Sequence, residues 1–301
     1  MKKIQVGFLM SYDYELLKKS IPPVYELADT IFLALDHKKR TWSGNYFEVD
    51  TSFYKWIKEI DVKNKIEIYE DDFYVSSLEG MQNDTRERFM LANKMGIGNW
   101  LIQVDSDEIF IDFKKFVKKL RKYDSFLDNP KSNPIQFAGF HINVYKYLDE
   151  GMLYINKPTK LLLATNYPNY KYAKNTKSRI IYDDTYILHE GLARTEEELL
   201  LKLDNWSHKH DINATFLEKW RMANKDNYHE IKDVFYLDAS IWPELGYFPT
   251  SNLDAIKEML YDDSSLAISK TKILSKNFGQ WFKHLFKKKK SYFEPYFIKH
   301  S

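Results

Sequence analysis

Apolar residues fall along the first half of the chain in two alternating rhythms. Residues 4–10 (IQVGFLM) are a short apolar run that predicts a strand. Residues 14–27 (YELLKKSIPPVYEL) read as a helix interrupted at Pro22 and Pro23. Residues 30–35 (TIFLAL) are β-branched and apolar and run straight into Asp36, ahead of the polar turn HKKRTWSGN. Phe53, Trp56, Ile57 and Ile60 are spaced 3, 1 and 3, the stripe of an amphipathic helix, and residues 66–74 (IEIYEDDFY) alternate as a third strand. Residues 83–95 (NDTRERFMLANKM) begin on a capping residue and predict a helix closed by Gly96 and Gly98, after which residues 100–110 (WLIQVDSDEIF) read as a strand that ends in acids. Strand alternating with helix implies an open α/β domain with a mostly parallel sheet and right-handed crossovers, so that Asp36 and Asp105 share one sheet edge.

Beyond a helix at 113–120 the rhythm changes. Residues 137–148, 152–165 and 179–191 are all strand-like with no long helix between them, which predicts a more antiparallel half. A helix returns at 196–210, where Leu199, Leu203, Trp206 and His210 are spaced 4, 3 and 4, with Thr195 and Glu198 set as a capping box. Residues 216–223 and 254–261 predict further short helices. In the last 32 residues Leu274, Phe278, Trp281, Phe282, Leu285 and Phe286 recur at helical spacing, followed by KKKK at 287–290. An apolar-aromatic stripe ending in cations is the pattern of a helix at a membrane surface; a packed C-terminal helix with a basic end is the competing reading. Residues 270–301 carry nine lysines and one acid, Glu294, a net +8 on a chain whose total is +2. The remainder is therefore acidic, which disfavours nucleic acid as a partner. No run at the N-terminus is long enough for a signal h-region or a membrane span, and the expected location is the cytoplasm, at the inner face of the plasma membrane.

The strand runs into three carboxylates, Asp105, Asp107 and Glu108, of which Asp105 and Asp107 are the first candidates for chemistry. Ligands of parallel sheets gather beyond the carboxyl ends of the strands, and Asp105 and Asp107 stand there. Two carboxylates two residues apart repel unless a positive charge lies between them, and a hard cation such as Mg²⁺ or Mn²⁺ supplies one. The structural alternative is a strand end followed by an N-cap, Asp107 or Asp112, for the next helix. The 301 residues include no cysteine, so only an oxygen and imidazole metal site is open. With 22 Tyr, 20 Phe and 7 Trp the chain is rich in amphipathic rings, which suit sugar stacking or an aromatic core equally. No P-loop and no GxGxxG occurs, so a nucleoside phosphate would be held by a metal rather than by a glycine-rich cradle.

The order of these elements through WLIQVDSDEIF, with ILHEGLARTEEELLLK at 187–202, resembles family 2-like bacterial glycosyltransferases of the glycosyltransferase A fold. The resemblance spans roughly residues 4–210. It implies a Rossmann-like α/β fold with a mixed central sheet flanked by helices and a C-terminal helical extension. The corresponding division is a nucleotide-sugar-binding and catalytic region at 1–210, a helical acceptor-side extension at 211–269 and a basic amphipathic tail at 270–301. On this resemblance Asp36 receives the base or ribose, Asp105 lies near the ribose or a metal-bound water, and Asp107 is the direct ligand of a Mn²⁺ or Mg²⁺ bridging the diphosphate. His189 is a third metal ligand or a diphosphate contact. Arg194, Lys202 and Arg86 neutralise phosphate charge, Arg88 is placed to do the same, and one of the two arginines is expected to face solvent. Glu190 is the general base of an inverting transfer, with Asp183, Asp184 and Asp238 as rivals. The chain departs from the family after the first strand, where Ser11, Tyr12 and Asp13 replace the usual Asn-Glu.

The implied activity is metal-dependent transfer of a sugar from a nucleoside-diphosphate sugar, a UDP-sugar foremost, to a hydroxyl of a surface glycan or lipid-linked acceptor. A metal-dependent nucleotidyltransferase and a non-catalytic glycan- or membrane-binding module are the alternatives.

Overall fold

A computed structural model describes residues 2–205, 215–235, 241–262 and 266–285. Trp206, His210, Asp238, Phe286 and the lysines at 287–290 lie outside the described residues. Strands β1 (Ile4–Leu9), β2 (Thr30–Asp36), β3 (Ile66–Asp71) and β4 (Trp100–Val104) pair in parallel in the order β4-β1-β2-β3. The other half of the sheet is built from β5 (Glu108–Phe110), β6 (Ile135–Tyr147), β7 (Met152–Ile155), β8 (Thr159–Thr165), β9 (Arg179–His189) and β10 (Leu245–Phe248). β8 runs antiparallel to β4 and β6 antiparallel to β8, while β9 is parallel to β6 and antiparallel to the short β5. The result is a mixed α/β architecture with one central sheet, compatible with a Rossmann-like fold.

Strict alternation explains the layers. Val6, Phe8, Leu33, Leu35, Ile102 and Val104 point to one face, where they meet α1 (Leu17–Ser20), α2 (Pro22–Tyr25), α3 (Thr51–Ile60) and α5 (Phe113–Arg121). Leu9, Phe32, Ala34 and Leu101 point to the other, against Leu91, Ala92 and Met95 of α4 (Gly80–Met95). Strands covered on both faces read as continuous apolar runs, which is why they were legible in the sequence. On the far half, α6 (Glu196–Asn205) and α7 (Phe216–Met222) pack Leu199, Leu203 and Trp220 against Tyr145 and Leu153, while α8 (Leu253–Asp262) packs Ile256 and Leu260 on the reverse side. Among the described residues no helix is long and apolar enough to cross a membrane.

Several expectations change. α4 begins at Gly80, three residues before Asn83, because Glu79 and Gln82 form the capping box; Asn83 is buried and bonds Val75 through its side chain. The third strand stops at Asp71, and the Asp-Ser-Asp segment separates two strands, β4 and β5. Asp112, not Asp107, caps α5, accepting from the Lys115 amide at 2.9 Å. β10, within 211–269, joins the sheet beside β7, so that segment adds a strand as well as helices. Arg86 and Arg88 are both buried, so neither faces solvent. The last helix among the described residues, α9 (Lys270–Leu285), packs against β9.

Candidate functional site

β4 ends at Val104, and the turn after it carries Asp105, Ser106 and Asp107 to the edge where β1 and β2 also end. Two backbone ties fix the turn. The Glu108 amide donates to the Asp105 carbonyl at 3.0 Å, and the Glu190 amide donates to the Asp107 carbonyl at 2.8 Å. β5 then pairs with the end of β9, setting Glu108 opposite His189. Residues more than eighty positions apart in sequence are thereby held in one cluster.

Asp107 is buried at the centre. Its Oδ2 accepts from Lys202 Nζ at 2.7 Å and from Arg194 Nη2 at 3.0 Å, while His189 Nε2 stands 3.6 Å from Oδ1. Burial works against its charge, but Lys202, His189 and Arg194 outweigh that and hold the carboxyl well below the ordinary range. The same Arg194 nitrogen donates to Asp13 at 3.0 Å, so the acid that follows the first strand is part of the cluster. Lys202 arrives because the capping box forms as its spacing predicts: the Thr195 amide donates to Glu198 and the Glu198 amide to Thr195 Oγ1, starting α6 where its second turn faces the site.

His189 is oriented by its other nitrogen. The Asn143 amide nitrogen donates to Thr159 Oγ1, which turns the Asn143 carbonyl oxygen toward His189 Nδ1 at 2.8 Å. Nδ1 is then the protonated nitrogen, and burial pushes the ring's pKa down to about 4 despite the Asp107 charge. At neutral pH the Nε2 lone pair thus faces a carboxylate oxygen across 3.6 Å, two electron-pair donors with room for a cation between them. Asp107 and His189 therefore fit a divalent metal. Asp105 does not join them: its Oδ1 accepts from Arg88 at 2.8 Å and its Oδ2 lies 3.5 Å from Lys174. Among the described residues, the trio of His and acids whose ligand atoms come within 4.8 Å of one another is Asp36, His37 and Asp72. Arg40 already bonds both of those acids.

Asp36 is engaged by six donors: the Lys38, Arg40, Phe73 and Tyr74 amides and two guanidinium nitrogens of Arg40. It organises the loops after β2 and β3 and meets a ribose or base only if Arg40 moves. Arg86 is likewise structural in this arrangement, donating to the carbonyls of Phe73 and Asp72. Arg88, two positions on, is the arginine that reaches the acids, bonding Asp84 at 2.6 Å and Asp105 at 2.8 Å. Arg88 Nη1 and Arg194 Nε remain buried without a hydrogen-bond partner among the described residues, spare donors beside an acidic turn.

Glu190 is buried, bonded by Lys19 at 2.9 Å and by the Tyr147 hydroxyl, with Lys19 over the Tyr147 ring. Asp183 and Asp184 pair with Lys119 and Lys115 of α5 instead. They sit six positions before His189 or nearly so, about 20 Å along the strand at ~3.3 Å per residue, and do not share the site with Glu190. Asp238, the third rival, lies outside the described residues.

Glu108, His141 and Lys174 were not foreseen. Glu108 is buried, and Lys174 at 2.7 Å and His141 at 3.0 Å overcome the effect of burial and hold its pKa low. His141 stacks on His189, ring centroids 4.6 Å apart. The sequence signal available was Glu108 itself, the third acid of the motif; its partners come from β6 and a distant loop. Beside His189 and Lys202 lies a cavity of about 260 Å³ whose walls include Val144, Leu192, Leu203 and Trp242, with Asn143 at its polar side.

No family model matches the chain, and no curated protein matches it. Among solved structures, the crystal structure of a mannose-6-phosphate isomerase from Helicobacter pylori is similar over 52% of this chain and 56% of its own length, at 16% identity and a TM-score of 0.30. A likeness that slight carries no argument about what this chain does.

Proposed function

We propose that this chain is a glycosyltransferase of the glycosyltransferase A fold, transferring a sugar from a nucleoside-diphosphate donor, foremost a UDP-sugar, to a hydroxyl of a surface-glycan or lipid-linked acceptor at the cytoplasmic face of a membrane. The observation that carries this reading is the convergence of Asp107, His189, Arg194 and Lys202 beyond the carboxyl ends of parallel strands. Fixed cations beside an acid that fits a divalent metal are what a departing diphosphate requires. Asp107 and His189 would hold Mn²⁺ or Mg²⁺, which when bound supplies Lewis-acid stabilisation of the leaving diphosphate. Arg194 and Lys202 bind and orient the phosphates, each turning part of its hydrogen bonding from Asp107 to phosphate oxygen. In the transfer the bond between the anomeric carbon and the diphosphate oxygen breaks, a bond from that carbon to the acceptor oxygen forms, and the acceptor proton passes to a carboxylate. Glu190 is assigned that proton, with Lys19 and the Tyr147 hydroxyl fixing its orientation. The cavity beside His189 offers an apolar wall with Trp242 and polar groups at one side, the combination that takes a sugar ring.

Incubation with a panel of nucleoside-diphosphate sugars, Mn²⁺ and glycan acceptors, followed by measurement of released nucleoside diphosphate, tests the proposal. One donor should release diphosphate well above the others, and Glu190→Gln should slow that release by about 10²-fold or more while donor binding persists. No release from any donor, together with pyrophosphate production from nucleoside triphosphate and sugar phosphate, would favour a nucleotidyltransferase.

A further inference from the structure

α9 presents two stripes at helical spacing. Ile273, Asn277 and Gln280 face the protein: Ile273 packs against the core, and the polar pair bonds the open edge of β9. The Asn277 side chain accepts from the Tyr182 amide at 2.7 Å and donates to the Tyr182 carbonyl at 3.0 Å, and Gln280 accepts from the Ile180 amide. Side-chain amides thus stand in for a neighbouring strand along an edge that would otherwise offer unpaired backbone. One residue on, and so rotated by about 100°, Leu274, Phe278, Trp281 and Leu285 form the second stripe, spaced 4, 3 and 4. They are 69%, 66%, 47% and 53% exposed. An ordinary surface helix buries its apolar stripe; this one docks through amides and turns the apolar stripe outward.

The charge says what the stripe meets. Lys270, Lys272, Lys276 and Lys283 of α9 have no carboxylate partner among the described residues. The sequence runs on from Leu285 through Phe286 into four consecutive lysines, and residues 270–301 hold nine lysines against Glu294 alone. Residues 1–269 carry the compensating negative charge, about −6. Apolar and aromatic side chains on one helix within a strongly cationic segment are complementary to an anionic lipid surface, whose attraction acts over about a Debye length and does not require each lysine to touch a headgroup.

We propose that α9 is a membrane-docking element: Leu274, Phe278, Trp281 and Leu285 insert into the interface of an anionic bilayer, and the Asn277 and Gln280 bonds to β9 fix the sheet, and with it the site at the far end of β9, relative to that surface. The inference rests on the geometry and charge of α9 and not on the activity proposed above.

The test is co-sedimentation of the full chain with vesicles of phosphatidylcholine alone or with about a third phosphatidylglycerol, at low and high salt. The full chain should pellet with the anionic vesicles at low salt, at least about tenfold less with neutral vesicles, and progressively less as salt rises. Phe278→Gln combined with Trp281→Gln should lower binding at least about tenfold without shifting the thermal midpoint. Four results would each overturn the proposal. They are no pelleting with anionic vesicles, equal pelleting by the double variant, a dimer in solution that the double substitution turns to monomer, and a midpoint lowered by the double substitution. The third would mean that a second copy covers the stripe, and the fourth that the chain's own end does.

Discussion

Glu87 is buried on α4, accepting from Trp42 Nε1 at 2.6 Å. Burial, with the nearby Asp84 charge, pushes its pKa up to about 8, against the lowering effects of Trp42 and Arg88. The folded chain therefore binds a proton here that the unfolded chain releases near the ordinary glutamate value of 4.5. Stability from this group is complete below that value and is lost as pH rises through about 8. The loss has an upper bound of ~5 kcal/mol at 1.36 kcal/mol per pKa unit. Glu87→Gln keeps an acceptor for Trp42 but cannot ionise. Urea denaturation of parent and variant from pH 5 to pH 9 should show similar stability at the acid end and a growing advantage for the variant toward the alkaline end. Parallel profiles would remove Glu87 from the pH dependence. Such a group is invisible in sequence, where it is one of several acids on a polar helix. The same limit applied to Arg86 and Arg88, since a spacing of two cannot say which arginine meets carbonyls and which meets Asp105.

At the scale of elements, β1, β2 and β4 were legible because doubly covered strands leave an apolar signature independent of partners, and the half-buried β3 was legible by its alternation. The second half was legible only as strands. β6 pairs with β9 in parallel and with β8 antiparallel, and nothing local to those segments encodes which neighbour each takes. Glu108, His141 and Lys174 meet only through that pairing, so their network could not be read in advance. Gly139 marks where the pairing bends: between Ala138, opposite Tyr182, and Phe140, opposite Tyr186, the register shifts. A Cβ at Gly139 would lie 2.5 Å from the Thr185 carbonyl oxygen, a backbone atom that cannot rotate away, and 2.9 Å from the Leu163 side chain. At Gly7 the corresponding contacts are the flexible ends of Leu91 and Met95. Gly139→Ala should therefore cost more than the ~1–3 kcal/mol typical of overpacking, and Gly7→Ala should fall within it. Denaturant midpoints of the two variants compare them directly. Equal losses would mean that β9 yields at the bulge.

At the scale of the whole molecule, the sheet delivers the turn after β4, the end of β9 and the start of α6 to one place, and the acids there are met by cations of the chain itself. Asp107 is held by Lys202 and Arg194 on one oxygen and left facing the His189 lone pair on the other. The account turns on that second oxygen. If it and His189 hold a divalent cation for a diphosphate, Asp107→Asn, which removes charge but little volume, should abolish the metal's contribution to nucleotide binding while leaving Lys202 and Arg194 free to bind phosphate. The direct measurement is titration calorimetry of UDP binding to parent and Asp107→Asn, each with and without Mn²⁺. The account predicts that Mn²⁺ tightens UDP binding to the parent by at least about tenfold, ~1.4 kcal/mol, and leaves the variant's affinity unchanged. An equal Mn²⁺ effect in both proteins would contradict it.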